Sequence, residues 1–331
     1  MNSLIDGKSV DRFTYNFAPN LHVITAYFNP SHYQTRRLNY GIFAHLLKQS
    51  GIPLLTVECA FGDDDFDLPE DNDVIKVRSK SILWQKERLL NLALGWLPKS
   101  CQYVAWLDCD LVFTNPNWAR DTAALLQNTP VVQVFETCNR LPEGYADAIS
   151  GGEICQSFGL ITGNNKSVLK TGRFQDHGHT GYGWAARKEI LDRCGFYEHA
   201  IAGSADHYMA HAACGDWTSP CINRMMMENP KLIGHFQDWA NLFHQEMKGG
   251  QVSSVPGEIL HLWHGSLADR QYMLRHCELT KLGFDPYSDI VSMPGRPLEF
   301  SERGSRSALI EWFFEYFRGR REDGSERKTY V

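Results

Sequence analysis

The sequence predicts an α/β fold: a single domain with a Rossmann-like, mostly parallel central sheet and helices on both faces. Three observations predict it. From residue 21 to 135, apolar β-rich runs alternate with stretches of helical periodicity, as in successive βαβ units. The runs are apolar on both of their faces, as strands covered on both sides are. No Ser/Gly/Pro-rich linker separates the two halves. The 331 residues therefore read as one unit of about 21–300, between an extension at 1–20 and a C-terminal helix and charged tail at 301–331.

The elements follow in order. Leu21–Phe28 is a strand stopped by Asn29-Pro30. Arg37–Gln49 is a helix, with Leu38, Ile42, His45 and Leu46 at helical spacing; Gly51 ends it, and Pro53 opens a strand from Leu54 to Val57. Asp63-Asp64-Asp65 is a solvated loop, and Val74–Val77 a short strand. Ser81–Trp96 is a helix closed by Pro98, and Tyr103–Leu107 an apolar strand that runs into Asp108-Cys109-Asp110. Trp118–Gln127 is helix and Val131–Phe135 strand. The second half reads as a strand at Gly181–Ala186, helices at Arg187–Cys194, Ser204–Cys214 and Asn229–Lys248, a strand at Gly257–Trp263 and a helix at Asp269–Leu282. The tail from Arg318 to Val331 is expected to fray.

Composition excludes several classes. Lys plus Arg total 33 and Asp plus Glu 39, a net charge of −6, which argues against nucleic acid held on a broad basic surface. With 43% hydrophobic and 22% charged residues the chain is ordinary globular material. It has no apolar run of about 18 residues. Met1–Asn20 carries Asp6, Lys8, Asp11 and Arg12 and no apolar core of a secretory leader. Nine cysteines without a CxxC pair fit a reducing compartment better than a disulfide framework, and speak against a structural zinc site built from cysteines. A cytoplasmic protein is expected.

Asp108-Cys109-Asp110 is the most informative spot. Ligands of open α/β sheets bind at the carboxyl ends of strands. Residues i and i+2 of an extended segment share a face. Two hard oxygen donors there suit Mg²⁺ or Mn²⁺, above all when a diphosphate completes the coordination. The bland alternative is a strand-ending turn with solvated carboxylates.

Four segments together resemble nucleotide-sugar-dependent glycosyltransferases of the GT-A fold, of the family 2-like or galactosyltransferase-like kind. They are Tyr27-Phe28-Asn29-Pro30; the helix Trp84-Gln-Lys-Glu-Arg-Leu-Leu-Asn91; Asp108-x-Asp110; and Gly181-Tyr-Gly-Trp-Ala-Ala-Arg187 continuing to Gly203-Ser-Ala-Asp-His207. A closing His261-Leu-Trp-His264-Gly-Ser-Leu-Ala-Asp269-Arg270-x-Tyr272 also matches bacterial-type members. The resemblance spans about residues 20–290. It implies a donor half at about 21–135 and an acceptor half at about 136–300.

The resemblance also implies roles. The donor is a nucleotide-diphosphate sugar, with UDP favoured, and the acceptor a glycan or other hydroxyl compound; Mn²⁺ or Mg²⁺ offsets charge on the departing diphosphate. Asp110 is the first metal ligand, Asp108 a ligand through water or a ribose contact, and His264 the histidine completing the site, with His261 as its rival. A regular strand would put those two on opposite faces. A histidine among oxygen ligands favours Mn²⁺. Tyr27, Asn29, Lys86, Arg88 and Asn91 are donor-binding candidates, although the last three equally fit an exposed polar helix face. Asp206 is the general base of an inverting transfer; it equally fits an acid in the first turn of a helix capped by Ser204. Ala205 stands where the family commonly has the Glu of a Glu-Asp pair. Gly183, Trp184 and His207 are acceptor-side candidates, the tryptophan competing with a core role.

Two other readings compete. Ten of the 13 histidines lie between His177 and His276, and His177-x-His179 and His207-x-x-x-His211 have zinc-ligand spacings, which suits a metal-dependent hydrolase. A non-catalytic carbohydrate-binding relative would explain Ala205. Finally, the segment from Leu309 to Arg321 mixes aromatics with a basic end, as a membrane-surface helix does, or packs back on the domain.

Overall fold

The computed structural model describes residues 13–144 and 152–324, together with the backbone of Leu4–Ile5 (β1) and Lys8–Ser9 (β2), which pair antiparallel. Leu21–Phe28 (β3) shows why the layers form. Its successive side chains point to opposite faces. Ile24, Ala26 and Phe28 enter one core, and Leu21, Val23 and Tyr27 the other. Gln34–Gln49 (α1) closes the second core with Tyr40, Phe43 and Leu47, and Lys86–Leu94 (α2) closes the first with Leu89, Leu90 and Ala93. Leu54–Phe61 (β4) and Val74–Ser79 (β5) lie between those helices in the chain. Tyr103–Leu107 (β6), Leu111–Phe113 (β7), Trp118–Leu126 (α3), Val131–Gln133 (β8) and Thr137–Arg140 (β9) follow. After the undescribed residues come Glu153–Gln156 (β10), Phe158–Asn164 (α4), Gly183–Arg187 (β11), Lys188–Cys194 (α5), Ala205–Ala213 (α6), Pro220–Met225 (α7) and Pro230–Glu246 (α8). Val252–Ser254 (β12), Glu258–His261 (β13), Leu274–Lys281 (α9), Ile290–Ser292 (β14), Leu298–Phe300 (β15) and Ser307–Gly319 (α10) complete the order.

The main sheet has seven strands in the order β12-β8-β11-β6-β3-β4-β5. It is parallel except at β11, which runs antiparallel to both β6 and β8. The architecture is therefore α/β with a mostly parallel central sheet flanked by helices, as the alternation of runs predicts. A second sheet, β10-β9-β13-β7, begins where β6 ends: the chain leaves β6, passes Asp108-Cys109-Asp110 and enters β7. Strand β7 pairs with β13 so that Leu111 faces His261. That register sets Asp110 beside the residues that follow β13.

Four sequence expectations are corrected. Residues 81–85 are not helical: the Trp84 amide donates to Ile201 O at 3.1 Å, and the Gln85 side chain bonds both the amide and the carbonyl of Leu298, at 3.0 and 2.9 Å. Those tertiary bonds hold the segment as a strap and delay the helix to Lys86. The helix expected at Asp269–Leu282 splits into a 3-10 turn at Ala268–Arg270 and α9, with Gln271 between them at φ 49°. Ser204 precedes α6 but its hydroxyl caps no backbone amide; it meets His276 Nε2 at 3.0 Å and Arg275 at 2.5 Å. The tail is packed as far as Gly324, with Arg320 and Glu322 buried; residues 325–331 lie outside the described residues.

Helix α10 buries Leu309, Phe313, Tyr316 and Phe317 and exposes Ile310 and Phe314. Its aromatic side is thus spent largely on the domain core, against Phe28, Trp84 and Phe300. Among the described residues no helix is long and apolar enough to cross a membrane.

Candidate active site

A cleft of about 700 Å³ opens at the carboxyl ends of β3 and β6, lined by Ala26, Phe28, Leu107 and Asp108. This is the edge where open α/β sheets bind ligands. Seven arginines and Lys86 line it against three acids, Asp108, Asp110 and Asp206. A chain of net charge −6 thus carries a cationic cleft, suited to a polyanionic ligand.

The register of β7 and β13 assembles its floor. Leu262 N donates to Asp110 O at 2.9 Å, and β13 ends at His261. The chain then departs from strand geometry. His264 comes back onto the same side, and the two imidazole Nε2 atoms approach to 3.2 Å. Asp110 Oδ2 is 2.9 Å from His264 Nε2 and Asp110 Oδ1 is 3.8 Å from His261 Nε2. The expectation of opposite faces fails because His264 lies in a loop: Gly265 next to it has φ 89°, and a Cβ there would stand 2.9 Å from Arg320 O.

Donor atoms of Asp110, His261 and His264 all fall within 4.8 Å of one another, and all three residues are buried. Hydrogen bonding alone does not satisfy them. His264 Nε2 faces Asp110, His261 and, at 2.9 Å, Arg270; one ring nitrogen cannot both donate to the carboxylate and accept from the guanidinium. Asp110 Oδ1 has no hydrogen-bond partner among the described residues. A divalent cation among these donors would satisfy all of them, and a mixed carboxylate–imidazole set suits Mn²⁺. Burial opposes ionisation of Asp110, but His261, His264 and Arg270 outweigh it and hold its pKa below the usual range. Burial pushes the pKa of His261 well down, against the pull of Asp110.

Asp108 lies apart from this triad. Its Oδ1 meets Lys86 Nζ at 2.7 Å, and the same ammonium meets Asp206 Oδ2 at 2.8 Å. Burial lowers the pKa of Lys86, but Asp108 and Asp206 more than offset it, so the ammonium stays charged; burial raises the pKa of Asp108 in spite of Lys86. Beside it, burial of Glu87 outweighs the pull of Lys86 and pushes that carboxyl up to about 8. Folding therefore favours the protonated acid. Its stabilisation is complete below an ordinary pKa of 4.5 and is lost as pH rises toward 8, at up to about 1.4 kcal/mol per pH unit. Glu87→Gln is expected to match the wild type near about pH 4 and to melt higher near about pH 8. Calorimetric melts at both pH values check this; an equal difference at both would reject it.

The remaining candidates separate. His207 and Asp206 line the cleft. Arg88 does not: it donates to Glu198 at 3.1 Å and to the carbonyls of Arg296 and Met293. Asn91 clasps the same turn through Phe196 and Glu198. Tyr27 and Asn29 both donate to Asp67, whose amide donates to Glu58, and organise the loop after β4 outside the main cleft. Trp184 is buried and donates to Thr180 O, while a Cβ on Gly183 would meet Leu107 and Val134 in the sheet at 2.7 and 2.9 Å, so both are core positions.

Sequence reasoning missed Arg36, Arg320 and Glu322. Glu322 is buried; its carboxylate meets Arg320 Nε at 2.6 Å, Arg36 at 3.3 Å and His264 Nδ1 at 3.5 Å. The tail thus packs a buried carboxylate against the outer side of His264. Its only signal in the sequence was the basic end of α10.

No model of a known protein family matches the chain, and no curated protein does. Solved structures with a distant likeness include the catalytic domain of a Drosophila beta-1,4-galactosyltransferase 7 in complex with xylobiose. Its identity is 11% and its TM-score 0.30, over 71% of this chain; the match spans 65% of that domain, short of two thirds of its length. Glucosyl-3-phosphoglycerate synthase from Mycobacterium tuberculosis, in complex with Mn²⁺, UDP-glucose and phosphoglyceric acid, has 12% identity and a TM-score of 0.38 over 84% of both chains. Mannosyl-3-phosphoglycerate synthase from Rubrobacter xylanophilus has 13% identity and a TM-score of 0.37, over 88% of this chain and 92% of its own.

Proposed function

We propose that the protein is a divalent-metal-dependent glycosyltransferase that moves a sugar from a nucleotide-diphosphate donor to an acceptor hydroxyl. The observation that carries the reading is the convergence of Asp110, His261 and His264 on the floor of a cationic cleft at the strand ends. The cation bound there, Mn²⁺ before Mg²⁺, would offset the charge that builds on the departing diphosphate. Arg270, beside His264, is positioned to meet a phosphate once it no longer shares the ring nitrogen. Lys86 fixes Asp108 and Asp206 with one ammonium, so both carboxylates hold their places before substrate arrives. Asp206, on the cleft wall, takes the proton from the acceptor hydroxyl as it attacks. One carboxylate base acting directly on the acceptor implies inversion at the anomeric carbon. Ala205 is buried in the core, so the acid of a Glu-Asp pair has no place there and acceptor contacts come from other residues.

The test is a thermal-shift panel of nucleotide sugars with and without Mn²⁺, in which a cognate UDP-sugar raises the melting temperature only with the metal. No shift across uridine, guanosine, adenosine and cytidine donors would overturn the reading. Asp206→Asn is expected to keep that shift and lose roughly 10²–10⁴-fold in transfer; an unchanged rate in a coupled nucleotide-release assay would remove Asp206 as the base.

A further inference from the structure

His177, His207, His211 and Cys221 take no part in the transfer chemistry above. They come from three separate stretches of chain: the turn after the 3-10 helix Phe174–Asp176, helix α6, and the start of α7. Yet their donor atoms all lie within 4.8 Å of one another. Cys221 Sγ is 3.5 Å from His207 Nε2 and 3.7 Å from His177 Nε2. Exposures are 1% for His177, 3% for His207, 0% for His211 and 6% for Cys221.

Hydrogen bonds do not explain this packing. One thiol proton can satisfy one ring nitrogen, and His211 Nε2 is buried with no partner among the described residues. Leaving such an atom unsatisfied costs about 1–3 kcal/mol. The outer edges of two rings are already fixed by acceptors. His211 Nδ1 meets Asp216 Oδ2 at 2.7 Å, and His177 Nδ1 meets Gly178 O at 2.9 Å. With the proton on Nδ1, each ring turns the lone pair of Nε2 inward. A histidine oriented by a carboxylate or a backbone carbonyl on its far side is the usual setting of a metal ligand.

We propose that His177, His207, His211 and Cys221 bind one zinc ion as a closed structural site. Three imidazoles and one thiolate are a ligand set that zinc accepts in tetrahedral geometry. Four protein ligands leave no position for a catalytic water, so the ion holds structure and does no hydrolysis. What it holds is one wall of the cleft. His207 follows Asp206 on α6, and the turn bearing His177 leads into Thr180, Gly181 and Tyr182, which line the cleft. The ion ties that turn, the start of α6 and the start of α7 to one point. The arrangement does not depend on what the cleft binds.

The experiment uses the full chain, purified without a metal-binding tag from cells supplied with zinc, and analysed by elemental mass spectrometry. One zinc per chain is expected, retained in Asp110→Asn and lost in Cys221→Ser and His211→Ala. Asp216→Ala, which removes only the outer partner, is expected to weaken zinc binding about 10–100-fold in a competitive chelator titration. Should the ligand variants fail to fold, cobalt exchange into the wild type decides: thiolate-to-cobalt charge-transfer absorption with tetrahedral d–d bands is expected. A zinc-free wild type, full zinc content in both ligand variants, or a cobalt spectrum without thiolate character would each overturn the proposal.

Discussion

Replacing Asp110 with asparagine is expected to abolish the Mn²⁺-dependent binding of donor and lower transfer by at least about 10²-fold, the scale of losing one essential charge-stabilising group. Asp110 is the only carboxylate in the triad with His261 and His264. Asparagine keeps its size and one oxygen but loses the charge. Outer-partner losses alone cost metal sites about 10–100-fold, so losing the anionic ligand itself is expected to cost more. The fold should survive. Asp110 Oδ1 has no hydrogen-bond partner among the described residues to lose, and the amide still offers an oxygen to His264. Isothermal titration with Mn²⁺ reads the affinity directly; a wild-type value would show that the cation binds elsewhere and would withdraw the proposed metal role. His264→Ala is expected to act in the same direction and more weakly, because His261 and Asp110 remain.

How far the sequence reveals this site depends on the kind of contact that builds each part. Strands β3, β6 and β8 and helices α1, α3 and α8 are legible because periodicity and punctuation are local signals. The Asp108-x-Asp110 element is legible because it follows an apolar strand. Helix α2 starts late because Gln85 is engaged by Leu298, more than 200 positions away in the chain, and no local pattern carries that bond. Arg88 and Asn91 sit on the expected helix but serve the turn at Phe196–Glu198, since helical spacing fixes a face and not what covers it. The joint placement of His261 and His264 depends on the chain leaving strand geometry directly after His261, where no local pattern marks the strand's end. Cys221 was invisible as a ligand candidate, lacking a CxxC partner, although it follows the His207-x-x-x-His211 pair. Glu322 was hidden in a tail whose charge pattern reads as solvated; burial reversed that meaning by supplying Arg36 and Arg320 as counter-charges.

Glu322→Ala is expected to produce the largest loss of stability among these substitutions, about 3–5 kcal/mol, because it leaves buried cations without their counter-charge. The Arg320 side chain is 5% exposed and that of Arg36 15%, so water recovers little of the lost interaction. Replacing Arg320 and Glu322 together by apolar residues should cost less than the sum of the two single changes, since neither charge is then stranded beside its absent partner. The pH dependence has a definite sign. Burial opposes ionisation of Glu322, but Arg320, Arg36 and His264 outweigh it and hold its pKa well below the ordinary 4.5. Its contribution is therefore complete above the unfolded pKa and is lost only as pH falls through the folded value. The gap in unfolding free energy between wild type and Glu322→Ala should stay constant from about pH 6 to pH 8 and shrink below about pH 4. Stability alone does not distinguish a brace from a support of the metal site, and His264 supplies the second readout. Its Nδ1 loses the carboxylate at 3.5 Å, so Mn²⁺ affinity of the still-folded variant should fall about 10–100-fold. Wild-type Mn²⁺ affinity in a destabilised Glu322→Ala would make the tail a brace only. Loss of both makes residues 320–322 a working part of the cleft.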